Sequence, residues 1–303
     1  MSRRRRLAPT NSTPEQPQTL YLLRRIRKGD FPAVSNFALR RAPPTTCCQQ
    51  GQVLLRLLVI SADPYMRWEM GQAGVPRPLK GFVVATVDSS ANKDWPAGSI
   101  LRAHLPFTSH QVLWANQLRG AWRLPLTPVN ASLGIGVLGV PGATAYGLID
   151  VLQPKAGETI WVSAAAGAVG LIVAQLARSR GCTVIGSTSS AAKVARVRNE
   201  GAFDCAFSYL GPEGATLSAE VLTERVIGCA AQGIDMYVEN VGGAHFDAAL
   251  RSLRRGGRIV VCGVISNYNT QVATTATFRG SRFEISPHMT RVNLPDRSQW
   301  VQG

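Results

Sequence analysis

Trp161-Val-Ser-Ala-Ala-Ala-Gly-Ala-Val-Gly170 runs directly into Leu171-Ile-Val-Ala-Gln-Leu-Ala177, and the reading of this junction decides the fold. Residues 159–163 are apolar and β-branched enough to form a buried strand, and 169–180 carry apolar residues at helical spacing. Between them, Gly167 and Gly170 allow backbone amides and a helix N-terminus to approach a ligand closely. The positive end of the helix dipole, with its free N–H groups, favours a phosphate there. A glycine turn alone is weak, because any tight strand-to-helix turn can use one. The strand–turn–helix context is what phosphate binding requires, so Gly167, Ala168, Val169 and Gly170 read as the cradle of a dinucleotide pyrophosphate.

Working downstream, strands at 182–186, 235–239 and 258–263 alternate with helix-length runs such as 190–200. That alternation predicts βαβ units and a parallel sheet. The end of the second strand decides between dinucleotides. An NAD site places Asp or Glu about 20 residues beyond the turn, to accept hydrogen bonds from the ribose hydroxyls. Here Gly186-Ser-Thr-Ser-Ser190 stands in that place, with Lys193 shortly after. No carboxylate is present to repel a 2′-phosphate, while Ser189 and Lys193 offer a hydroxyl and an ammonium to bind one. The competing reading of Lys193 is a plain exposed helix residue; NADPH is the better fit.

Working upstream, residues 19–133 read as short strands broken by turns. Gly51-Gln-Val-Leu-Leu-Arg-Leu-Leu-Val-Ile60 and residues 79–87 are strands, and Trp95-Pro-Ala-Gly98 turns into Ser99-Ile-Leu-Arg102. Close spacing of this kind suggests a small antiparallel barrel or sandwich. Pro125 and Pro128 punctuate the change of grammar. The expected organisation is a basic tail at 1–18, a β-barrel domain at 19–133 and a nucleotide-binding domain at 134–303.

Composition supports this division. With 303 residues, 45% of them hydrophobic and 17% charged, the chain can build a sizeable core for about two domains, which excludes disorder over most of its length. No uninterrupted apolar run is long enough for a membrane span. The net charge of +15 invites a nucleic-acid reading, but residues 1–41 hold ten basic and two acidic residues, more than half of the excess. The Arg3–Arg6 block, in a Pro/Ser/Thr/Gln-rich lead-in, reads as a solvated terminal tail in preference to an organelle-targeting or polyanion-binding one. Nucleic acid is not the expected partner, and no secretory apolar segment follows Arg6. The six cysteines (Cys47, Cys48, Cys182, Cys205, Cys229 and Cys262) show no paired spacing. They read as thiols of a reducing compartment, with Cys182, Cys205 and Cys262 as small buried hydrophobes and no structural zinc site. Cytoplasmic localisation is expected.

Four stretches now combine: Asp63-Pro-Tyr-Met-Arg67; Gly139-Val-Pro-Gly-Ala-Thr-Ala-Tyr146; Ala164-Ala-Ala-Gly-Ala-Val-Gly170; and Val238-Glu-Asn-Val-Gly-Gly243 with Val261-Cys-Gly-Val-Ile-Ser-Asn-Tyr-Asn269. In this order, over roughly 20–290, the chain resembles the zinc-independent medium-chain dehydrogenase/reductase superfamily. Within it, the chain is similar to the NADPH-dependent alkenal double-bond and prostaglandin/leukotriene reductase group. The resemblance implies an α/β fold: a GroES-like β-barrel domain joined to a Rossmann domain, with the active site in the cleft between. It implies that Lys193 and Tyr209 contact the 2′-phosphate and adenosine end. Asn240 and the run Cys262, Gly263, Ile265 and Tyr268 would line the nicotinamide side, with Tyr268 assisting the proton step.

The chemistry makes sense for these residue types. Hydride addition to the β-carbon of an enal or enone builds enolate charge on the carbonyl oxygen, and a neutral phenol can stabilise that charge and relay a proton. Tyr268 as a packing aromatic is the competing reading, whereas Tyr65 and Arg67 are expected to orient loops. Zinc alcohol dehydrogenases of the superfamily carry Gly-His-Glu where this chain reads Gly81-Phe-Val-Val84, so no metal is expected, and His104 and His110 read as ordinary histidines. The family commonly continues for some tens of residues beyond position 303, its late strand echoed by Phe278-Arg-Gly-Ser-Arg-Phe-Glu-Ile-Ser-Pro-His288, and its loop at 70–80 is usually longer. The expected nucleotide domain therefore lacks its C-terminal end. A quinone reductase and an inactive NADPH-binding homologue are the alternatives, and homodimers are common in the resembled group.

Overall fold

The computed structural model describes residues 16–27, 29–43 and 49–268, and the backbone alone of three strands beyond them. The Arg3–Arg6 block, Cys47, Cys48 and Asn269 lie outside the described residues. The chain divides into two compact units, residues 1–25 with 33–131 and residues 26–32 with 132–303.

The first unit is antiparallel. Strands β1 (Gln18–Leu22), β2 (Phe37–Arg41) and β4 (Arg77–Pro78) form one sheet in the order β2-β1-β4. Strands β3 (Gln52–Ile60), β5 (Lys80–Ser90), β6 (Ile100–Pro106), β7 (His110–Trp114) and β8 (Trp122–Leu124) form a second, ordered β7-β3-β5-β6-β8, and a short helix, α1 (Met66–Met70), lies between β3 and β4. Val53, Leu55, Val83, Ala85, Val87, Leu101 and Leu105 fill its core. Their alternation along each strand is the period-two signature of a sheet with one buried face.

The second unit carries a six-stranded sheet in the order β11-β10-β9-β12-β13-β16. Its chain order is α2 (Val140–Leu152), β9 (Thr159–Val162), α3 (Ala168–Ser179), β10 (Thr183–Thr188), α4 (Ala191–Asn199), β11 (Cys205–Ser208), α5 (Ala219–Cys229), β12 (Ile234–Glu239), α6 (Ala244–Ser252) and β13 (Leu253–Val261). A separate pair, β14 (Thr275–Phe278) and β15 (Ser281–Glu284), precedes β16 (Thr290–Asn293), which runs antiparallel to β13. The other five strands of the sheet are parallel. Both faces are covered, as a parallel sheet requires. Ile160, Val162, Val184, Met236, Val238 and Val260 face Leu148, Val173, Ala174 and Val197 of α2, α3 and α4. The alternate residues Trp161, Ile185, Tyr237 and Ile259 face Leu222, Val226, Phe246 and Leu250 of α5 and α6. This is the α/β architecture expected, with a Rossmann-like sheet. Among the described residues, no helix is long and apolar enough to cross a membrane.

Two sequence expectations need correction. Cys205 and Cys229 are bonded to each other as a disulfide, with their Cα atoms 5.9 Å apart. Their 24-residue separation in sequence hides the proximity, which arises because α5 ends beside the start of β11. Cys182 and Cys262 are free thiols, the first buried and the second half-buried. Strand β13 also begins at Leu253 instead of Arg258. Leu253 pairs with Ile234, residues 254–257 bulge out with Gly256 at φ +76°, and the continuous ladder with β12 runs from Arg258.

Candidate functional site

The chain passes from β9 outward through β10 to β11, then returns to place β12 on the other side of β9. Strand order therefore reverses between β9 and β12. In open α/β sheets, ligands bind outside the carboxyl ends of the strands at such a point. All the residues expected to bind the cofactor follow the carboxyl ends of five adjacent parallel strands.

After β9 the chain turns sharply. Ala164 adopts φ +49°, a left-handed conformation unusual for a residue with a side chain. Its carbonyl accepts from Gly167 N–H at 2.8 Å, and Ala165 N–H bonds Ser187 O at 3.0 Å. Gly167 is the N-cap of α3, and no side chain caps the helix. A methyl on Gly170 would lie 2.7 Å from Ala164 O and 3.0 Å from Ala165 Cα. The helix thus starts as close to the strand end as backbone allows, and Gly167, Ala168, Val169 and Gly170 form its first turn. This geometry fits a pyrophosphate held by main-chain amides.

After β10, Ser189 Oγ and Lys193 Nζ are 3.0 Å apart, and Ser190 caps α4 by accepting from Lys193 N–H. Lys193 is exposed and Ser189 half-buried. After β11, Tyr209 N–H bonds Thr188 O at 2.8 Å, which ties the two strand ends together. Its ring meets His245 edge-on, centroids 4.7 Å apart, and His245 stacks on Trp161 at 5.8 Å.

After β12, Asn240 bridges back to β9: its amide N–H donates to Ser163 Oγ and its Nδ2 to Ser163 O, both at 2.8 Å. After β13, Cys262 and Gly263 donate their N–H groups to Glu239 O, at 2.9 and 3.1 Å, and Ile265 N–H reaches Asn240 O at 3.2 Å. Tyr268 ends the short 3-10 turn Ile265–Asn267. Asn240 and the 262–268 run are thereby joined in one loop cluster, while Ser189 and Lys193 pair at the other end of the site.

Burial sets the protonation of this region. Burial raises the Tyr268 phenol above the ordinary tyrosine range, against a backbone hydrogen bond at Val264 that lowers it. The Cys262 thiol is pushed up to about 11 by burial, with the Glu239 carboxylate adding. Both side chains are therefore neutral near pH 7.

Sequence reasoning missed two residues beneath these loops. Glu239 is fully buried, and burial raises its carboxyl, opposed by N–H donors from Gly242 and Val241 at 2.8 and 2.6 Å. A carboxylate ending an apolar strand just before Gly242 and Gly243 was the available signal. His245 is fully buried with neither ring nitrogen hydrogen-bonded, and burial lowers it to about 4. Nothing in the sequence marks it, since α6 shows an ordinary apolar pattern around it.

In the first unit, Tyr65 Oη accepts from Phe82 N–H at 2.9 Å, and its ring meets Phe82 edge-on. His104 packs edge-on against Phe82, and His110 lies 3.3 Å from Ser109 Oγ. Among the described residues, no group of three or more His, Cys, Asp or Glu is placed to hold a metal.

Comparison with known proteins places both units of the chain among oxidoreductases. Residues 168–294 match the family described as zinc-binding dehydrogenase, and residues 20–120 match the N-terminal domain of oxidoreductase. Prostaglandin reductase 1 of Rattus norvegicus is 40% identical over 247 residues, covering 79% of this chain and 70% of the relative. The NADPH-dependent curcumin reductase of Escherichia coli is 36% identical over 246 residues, covering 78% and 68%. The crystal structure of CurA in complex with NADPH from Vibrio vulnificus superposes with a TM-score of 0.73 at 32% identity, covering 86% of this chain and 76% of that one.

Proposed function

The chain belongs to the medium-chain dehydrogenase/reductase family, and from that premise we propose that it reduces the C=C bond of α,β-unsaturated aldehydes and ketones with NADPH. The observation that carries the reading is that the residues expected to bind the cofactor follow the carboxyl ends of five adjacent strands. Similarity to a prostaglandin reductase and to an NADPH-dependent curcumin reductase supports a reductase of this type.

The residues present fit the cofactor. Glycines at 167 and 170 leave an uncapped helix terminus for the pyrophosphate. Ser189 and Lys193 provide a hydroxyl–ammonium pair for the 2′-phosphate, with Tyr209 against the adenosine end. When bound, NADPH supplies a hydride to the β-carbon of the activated alkene. The protein's part is to orient and to manage charge. Asn240 and the 262–268 loop would hold the nicotinamide side. The π electrons of the alkene pass to the carbonyl oxygen, and the neutral Tyr268 phenol donates a hydrogen bond to the developing enolate. The phenol's proton then passes to the α-carbon and is replaced from solvent, so that the alkene gains one proton beside the hydride.

The test is NADPH oxidation with 4-hydroxynonenal, run beside a quinone, for the wild type and Tyr268→Phe. The expected outcome is preferential turnover of the enal, with kcat reduced in Tyr268→Phe by about 10²-fold, the low end of what a positioned proton donor contributes, while NADPH binding persists. Intact NADPH binding with no turnover of the enal would sink the reading.

A further inference from the structure

Glycine at 263 has a reason that neither its backbone nor its packing supplies. Its φ lies outside the left-handed region, so conformation does not demand glycine. Main-chain crowding does not demand it either. At Gly142 and Gly170 an added methyl would run into carbonyl oxygens at 1.8 and 2.7 Å, but at Gly263 the nearest main-chain atom beyond its immediate neighbours is Asn240 O at 4.0 Å. The atom such a methyl would strike is the Tyr268 hydroxyl, 2.9 Å away. Real Cβ atoms essentially never come that near another heavy atom, so one of the two must give. Gly263 is itself buried and anchored by its N–H bond to Glu239 O at 3.1 Å. The phenol is the free end of a side chain and is the group that would move.

We propose that Gly263 is a positioning residue for the proton step: its missing side chain is the seat in which the Tyr268 hydroxyl rests. The inference rests on Tyr268 serving that step, as proposed above. It names the neighbour that sets where the hydroxyl stands, and it makes residue 263 a steric control on protonation that acts without touching the alkene.

The experiment is a double-mutant cycle of Gly263→Ala, Tyr268→Phe and the combination, each measured for kcat, NADPH dissociation constant, thermal midpoint and solvent deuterium isotope effect. Gly263→Ala is expected to fold, and its NADPH dissociation constant separates any loss of cofactor binding from the effect on kcat. Its kcat should fall roughly tenfold or more, the scale of a misplaced proton donor, with a larger solvent isotope effect. Adding Gly263→Ala to Tyr268→Phe should cost nothing further, because the hydroxyl is already gone. Wild-type kcat in Gly263→Ala, or losses that multiply in the combination, overturns the proposal while leaving the role of Tyr268 standing. Full kcat in Tyr268→Phe overturns both. A Gly263→Ala protein that does not fold also contradicts it, since the phenol is held to be the group that gives.

Discussion

Lys193 and His245 are opposite cases of one electrostatic rule: charge is cheap where water or a ligand anion can reach it and expensive where neither can. Lys193 is exposed, its Nζ steadied by Ser189 Oγ at 3.0 Å. A charge-assisted bond of this kind contributes about 1.5–3 kcal/mol, so Lys193→Ala should weaken NADPH binding by roughly ten- to a hundredfold and leave NADH binding nearly unchanged. Titration of both cofactors by fluorescence checks this. Equal losses for the two would move Lys193 out of the 2′-phosphate site. His245 is buried among Trp161, Tyr209 and α6, and burial holds it to about 4, so it is neutral in the folded protein. The unfolded chain takes up this proton near 6.5, well before the folded one does. Stability attached to His245 is therefore present above pH 6.5 and is lost as pH falls from there toward 4, on the order of 3 kcal/mol in all. His245→Phe should flatten that part of the urea-unfolding profile, and an unchanged slope would show that the imidazole is not held neutral.

At the scale of elements, the β9–α3 junction is the piece on which the rest depends. Gly170→Ala would drive a methyl to within 2.7 Å of Ala164 O, where main chain must shift because no side chain can yield. Overpacking of this sort costs about 1–3 kcal/mol, and here it would also move the helix terminus from the pyrophosphate. A lower thermal midpoint together with weaker NADPH binding is expected; a stable variant with unaltered binding would detach this turn from the cofactor. This junction was legible from the sequence because strand, glycines and helix are contiguous, and local pattern is enough to read contiguous features. The 190–200 helix and the second strand were legible for the same reason. What stayed hidden depends on contacts distant in sequence. The Cys205–Cys229 bond joins the start of one strand to the end of a helix. The early start of β13 rests on one distant pairing, Leu253 with Ile234, after which residues 254–257 bulge out and the continuous ladder with β12 begins at Arg258. Glu239 reads as a polar strand end, and only the folded β12–α6 turn shows its carboxylate collecting two backbone N–H groups.

For the molecule as a whole, the net charge of +15 is the property most open to misreading. More than half of it sits in residues 1–41. In the second unit, several arginines are engaged at home: Arg258 with Glu158, Arg178 with Asp204, Arg254 with Asp235 and Arg251 with Glu220. A positive balance with no carboxylate at the end of β10 suits a polyanionic dinucleotide, and charge of this kind speaks to partners and not to fold. In the function proposed above, the sheet order, the glycine turn and the Tyr268 loop serve a single chemical event, hydride delivery to carbon followed by protonation at the neighbouring carbon. The most direct measurement of that event is isotope transfer. The protein is incubated with 4-hydroxynonenal and NADPH carrying deuterium at the transferable position of C4, and the product is read by NMR and mass spectrometry. The account predicts the saturated aldehyde, with deuterium on the β-carbon and a solvent proton on the α-carbon. Deuterium on the carbonyl carbon of an alcohol product, or no deuterium transfer at all, would contradict it.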